Sequence, residues 1–107
     1  MIIKNKNISM TRGDSESIRV LCPAAPFESG DRITMTVRED AESEILLQIV
    51  VTAFDENGSA LIALRPEDTE GLDFGSYLYD IELKTAGGAV TTLVTPHRFK
   101  LTEEVTD

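Results

Sequence analysis

The chain has no tryptophan, one cysteine, one histidine, and only 10 lysines and arginines against 19 aspartates and glutamates. A single thiol can form neither an internal disulfide nor a cysteine metal cage, so Cys22 reads as a buried, inert side chain compatible with a reducing cytosol. A single histidine, His97, leaves one candidate base and no second imidazole, which gives a nucleophilic triad no footing. The formal net charge of −9 and a pI of about 4.5 oppose phosphate-rich partners, so neither nucleic acid nor an anionic membrane is expected. No apolar run approaches the roughly 20 residues of a membrane helix, and no signal-peptide-like apolar stretch opens the chain. Two tyrosines and four phenylalanines leave few aromatics for a sugar-stacking surface once a core is filled. Nothing in the pattern implies a pocket that would split the pKa values of two carboxylates. The expectation is a non-catalytic protein without cofactor or metal.

What is present is the material of one small β domain spanning 1–107, with 41% hydrophobic residues, 27% charged residues and a mean hydropathy of −0.09. Apolar residues alternate at period two, and turn residues recur every eight to twelve positions. Ile33, Met35 and Val37 alternate with Thr34, Thr36 and Arg38 after Ser29-Gly30-Asp31, and Ile18, Val20 and Cys22 form a similar face that ends at Pro23 and Pro26. Between Ile45 and Phe54 both faces are apolar: Ile45, Leu47, Ile49 and Val51 on one, Leu46, Val50 and Phe54 on the other. The segment is either a central or edge strand flanked by loops, or a strand whose second face packs against another subunit.

Asp55-Glu56-Asn57-Gly58 predicts a hairpin with a type I′ turn, from which Ser59–Leu64 returns. Pro66-Glu67-Asp68-Thr69-Glu70-Gly71 predicts one short helical turn, with proline at the start, acids in the first turn and glycine at the stop. A strand through Tyr77, Tyr79, Ile81 and Leu83 turns at Gly87-Gly88 into Ala89–Thr95, and Phe99 with Leu101 forms a further strand before an acidic tail, Glu103–Asp107. With a weaker Ile2–Met10 segment, about eight strands result, the number of a sandwich fold.

Asp73, Gly75 and Tyr77 carry the most specific local pattern. The Asp-x-Gly-x-Tyr order resembles the tyrosine corner of immunoglobulin-like domains, in which a tyrosine near the start of strand F returns its hydroxyl to upstream backbone. The single cysteine and absent tryptophan limit that likeness to the sandwich architecture. Arg12-Gly13-Asp14-Ser15 spells an integrin-read tripeptide, but glycine and aspartate between two strands are ordinary turn chemistry. Acids at Glu39, Asp40, Glu42 and Glu44, and at Asp55 and Glu56, lack the ligand spacing of a calcium loop and read as solvated turns. Asp80 and Glu82 fall on the polar face of their strand.

Taken together, Met10-Thr11-Arg12-Gly13-Asp14, Asp31–Arg38, Asp68-Thr69, Gly75-Ser76-Tyr77-Leu78-Tyr79-Asp80-Ile81 and Phe99-Lys100-Leu101 with Glu104-Val105-Thr106 resemble small immunoglobulin-like modules of phages and prophages of Gram-positive bacteria. They are similar to the N-terminal domain of baseplate upper proteins. The resemblance implies an immunoglobulin-like β-sandwich of about eight strands with one short helical turn. It also implies a virion structural role, with phage tail or baseplate proteins as partners, in a protein made in the bacterial cytoplasm. Baseplate upper proteins continue into further segments, so a chain ending at Asp107 is expected to be an accessory module or to serve another assembly step. Self-association into a homo-oligomer through Leu46, Val50 and Phe54 is a second expectation. A bacterial surface or carbohydrate-binding module of similar fold is the alternative.

Overall fold

A computed structural model describes residues 7–21, 26–40 and 42–103. Cys22, Pro23, most of Ile2–Met10 and Glu104–Asp107 lie outside the described residues, and with them the expectations placed on the thiol and the acidic tail. The fold is all-β with one short helix. The described residues contain seven strands: β1 Ile8–Thr11, β2 Glu16–Val20, β3 Arg32–Arg38, β4 Ile45–Val51, β5 Ala60–Leu64, β6 Gly75–Lys84 and β7 Val90–Thr102, with α1 at Pro66–Glu70 between β5 and β6.

Five strands form one sheet in the order β1-β7-β6-β3-β4, and β2 pairs antiparallel with β5 in a second. β1 runs parallel to the end of β7, with Ile8 opposite Phe99 and Met10 opposite Leu101; the other pairs are antiparallel. The period-two pattern sets the register. Ile33, Met35 and Val37 lie opposite Leu83, Ile81 and Tyr79, and all six are buried. They meet Ile18, Val20, Ala60, Ile62 and Leu64 of the smaller sheet in one core that also takes in Phe27, Tyr77, Val94, Phe99 and Leu101. Tyr79 stacks edge-on against Phe99 with ring centroids 6.3 Å apart, and burial pushes its phenol up to about 12.

Three features depart from the sequence expectation. The residues expected as two strands, around Ala89–Thr95 and Phe99–Leu101, form one strand of 13 residues. Among the described residues β1 pairs β7 only from Phe99 onward, so no described strand takes a donor from Pro96, which sits beside a bulge between the Tyr79–His97 and Ile81–Val94 pairs. The Asp55–Gly58 turn is present, but it is not a hairpin between neighbouring strands, because β4 and β5 belong to different sheets. It is also a three-residue loop, not a two-residue one. Gly58 N–H donates to Asp55 O at 2.9 Å, Asp55 N–H donates to Ser59 O at 3.0 Å, and only the last loop position is a glycine at positive φ, +73°. Finally, Phe54 lies beyond the end of β4 and packs on Phe27 with ring centroids 5.3 Å apart, so it belongs to the core side.

Candidate functional site

The outermost strand of the large sheet is β4, and its sequence, ILLQIVV, contains no charge and no proline. Leu47, Ile49 and Val51 turn inward and pack on the core, while Ile45, Leu46 and Val50 are 47%, 43% and 50% exposed. On the β3 side, Val37 pairs with Leu47 and Arg38 with Ile45, so Leu46 is the extra residue of a bulge. On the other side, no described strand pairs with the backbone of β4. Of the three residues expected at an interface, Leu46 and Val50 are thus on the exposed edge and Phe54 is not. Its aromatic ring made it look like part of a strand face, whereas the chain leaves the sheet after Val51.

Two acidic turns flank this strand, and each uses its carboxylates to build itself. In the β3–β4 turn, Asp40 Oδ1 accepts from Glu42 N–H and from Ser43 Oγ, both at 2.9 Å. After β4, Asp55 accepts from Asn57 N–H at 2.9 Å, from Ser59 N–H at 3.0 Å and from the Ser59 hydroxyl. These hydrogen bonds, with Ser43 and Ser59 hydroxyls leading, hold both carboxyls below the ordinary value of 3.8. Both are local turn caps of the kind aspartate favours.

Beside β4, the outward face of β3, β6 and β7 is polar. Gln48 Nε2 donates to Thr36 Oγ1 at 3.2 Å, and Asp80 sits across from Thr36 with Glu82 two residues on. Burial, reinforced by Glu82 and opposed by Arg38, raises the Asp80 carboxyl above 3.8. The Arg38 side chain keeps a buried Nε without a hydrogen-bond partner among the described residues. His97 Nδ1–H donates to Thr95 O at 2.6 Å, fixing the imidazole to its own strand.

At the opposite edge of the fold, the Arg12-Gly13-Asp14 segment is a tight turn closed by Asp14 N–H donating to Thr11 O at 3.2 Å. It is tied into the α1–β6 connection. The Arg12 guanidinium lies 4.2 Å from the Phe74 ring centroid and donates to Leu72 O at 3.2 Å, while Gly13 N–H donates at 2.8 Å to Thr69 Oγ1. An arginine held this way on its own chain is not extended as a free recognition side chain. In the same connection, Gly75 opens β6 at φ +138°, and the hydroxyl of buried Tyr77 donates to Asp73 O at 2.6 Å. Burial, with the Asp73 charge next, raises the Tyr77 phenol above its ordinary value.

Sequence reasoning missed two structural polar residues. Thr69 is fully buried and receives the Gly13 N–H. Asp31 is buried and accepts from Glu28 N–H at 2.9 Å and Ala86 N–H at 3.3 Å, joining two loops 55 positions apart. Each sat in an ordinary turn or helix pattern, and nothing in sequence spacing points to a partner so distant. The chain matches no protein-family model and no curated protein.

Proposed function

We propose that the chain is an immunoglobulin-like β-sandwich that works as a non-catalytic structural module of a phage or prophage virion, joining protein to protein. The strand order supports the fold: β4-β3-β6-β7 and β2-β5 reproduce the C′-C-F-G and B-E neighbours of a variable-type immunoglobulin sandwich. The Tyr77 hydroxyl returning to Asp73 O at the head of the strand in the F position supports it too.

The observation that carries the assembly role is the β4 edge. Soluble sheets guard their edges with lysine, proline, short strands or bulges, because unpaired backbone amides template another chain. β4 is seven residues long and uncharged, its exposed side carries Ile45, Leu46 and Val50 around Gln48, and the Leu46 bulge is its one guard among the described residues. Its apolar pattern reads alike in both directions around Gln48, so antiparallel pairing with a second copy sets Leu46 against Val50 and Leu47 against Ile49. Strand addition of this kind supplies affinity through main-chain hydrogen bonds.

Hydrogen exchange followed over a concentration series tests the contact. The reading expects β4 amides to become protected as concentration rises; exchange there that is independent of concentration overturns it. Mass spectrometry of purified particles from the source bacterium tests the setting. Presence of the chain in the particle fraction is expected, and its confinement to the cell envelope would favour the bacterial surface module instead.

A further inference from the structure

The chain's positive charge is not spread evenly over its surface. Five of its ten lysines and arginines, Arg32, Arg38, Lys84, Arg98 and Lys100, fall on the outward face of β3, β6 and β7, at positions alternating with the buried ones. Asp80 and Glu82 are the acids that these strands place on that face, and Asp40 adjoins Arg38 and Leu78 at its end, so cations outnumber acids there on a chain of net charge −9. None of the five cations makes an ion pair among the described residues. At one end, Arg38, Leu78 and Arg98 occupy adjacent strands in a single row, with Lys100 following on β7. The buried Arg38 Nε has no hydrogen-bond partner among the described residues.

The complementary charge lies next to it. Residues 39–44 contain Glu39, Asp40, Glu42 and Glu44 and no base, all four exposed, on a turn fixed by the Asp40 hydrogen bonds. The turn follows directly from Arg38, so it stands at the same end of the sheet as the cationic row. Acceptor and donor at one end of one sheet can both be satisfied by a two-fold axis, each turn meeting the other copy's row.

We propose that the Arg38–Leu78–Arg98 row, with Lys100, is a contact surface for the acidic 39–44 turn of a second copy, the two turns being exchanged across that axis. This contact is separate from pairing at the β4 edge and goes beyond it. A chain with both contacts builds assemblies larger than a dimer, whereas either contact alone gives a dimer. At physiological ionic strength the screening length is about 8 Å, so repulsion between two acidic bodies is muted while charges in contact still attract.

Charge exchange tests the proposal. The edge contact is first removed with Leu46→Asp and Val50→Asp. To that parent is added either a face pair, Arg98→Glu and Lys100→Glu, or a turn pair, Glu42→Lys and Glu44→Lys. All six positions are exposed, so the fold is expected to survive, as circular dichroism will check. Light scattering is expected to show a dimer for the parent, a monomer for each charge variant and a restored dimer when the two are mixed. A monomeric parent, a charge variant that stays dimeric, or a mixture that stays monomeric overturns the proposal. If the parent does not fold, the face and turn pairs are placed in the native chain, where mixing must raise the mass above that of either alone. The β4 reading fails separately, when the parent has the same mass as the native chain.

Discussion

At the scale of single residues, a few buried polar atoms do work out of proportion to their number. Thr69 Oγ1 is the acceptor for Gly13 N–H, and it holds the Arg12–Asp14 turn against the α1–β6 connection. Thr69→Val keeps the shape and strands that N–H, so a loss of about 1–2 kcal/mol is expected in urea unfolding, while Thr69→Ser should retain most of the stability. Asp80 works in the other direction. Its carboxyl is raised in the folded state, so the native protein binds that proton more tightly than the unfolded chain, and ionisation costs stability as pH rises through the native value. Asp80→Asn should therefore raise the melting temperature at neutral pH, by an amount worth less than about 1 kcal/mol at this partly exposed site, and the gain should vanish below the ordinary 3.8. The lowered carboxyls of Asp40 and Asp55 act oppositely: their stabilisation is present above 3.8 and is lost as acid protonates them.

At the scale of elements, turns and strands differ in how far sequence determines them. β2, β3 and β6 were legible because one face of each is buried, and burial of one face imposes strict alternation. The Asp55–Ser59 turn was legible because aspartate and glycine define it locally. The sheet change it makes was not, since the partner of β5 is chosen by the core it shares with β2, 40 or so positions away in sequence. Ala89–Thr95 and Phe99–Leu101 were expected as separate strands, yet Pro96 between them lies where no described strand needs its missing donor. In the candidate site, Leu46 and Val50 could be found from a strand apolar on both sides, whereas Phe54 could not be separated from them without knowing where β4 ends. Gly58 offers a direct test of the turn. It adopts φ +73°, and a Cβ there would overlap the Pro26 side chain, so Gly58→Ala should destabilise by about 1–3 kcal/mol in a thermal or denaturant melt.

At the scale of the whole molecule, the sheets close one core, and among the described strands the outer edge of β4 has no partner. The parallel β1–β7 pairing covers one end of the five-stranded sheet with a four-residue strand, a short edge of the kind proteins leave exposed without harm. The β4 end has a seven-residue apolar strand instead, and the surrounding acidic turns mark its limits without covering it. An exposed apolar strand edge of this length is the kind of surface that templates another strand, and self-association through it is what the proposed function expects. The most direct measurement is native molar mass by light scattering across a concentration series, for the native chain and for Leu46→Asp with Val50→Asp. A mass above the 11.8 kDa monomer for the native chain, and a smaller mass for a variant with unchanged circular dichroism, is the expected result. Equal masses for two folded proteins, or unfolding of the variant because those side chains are core, would contradict the account.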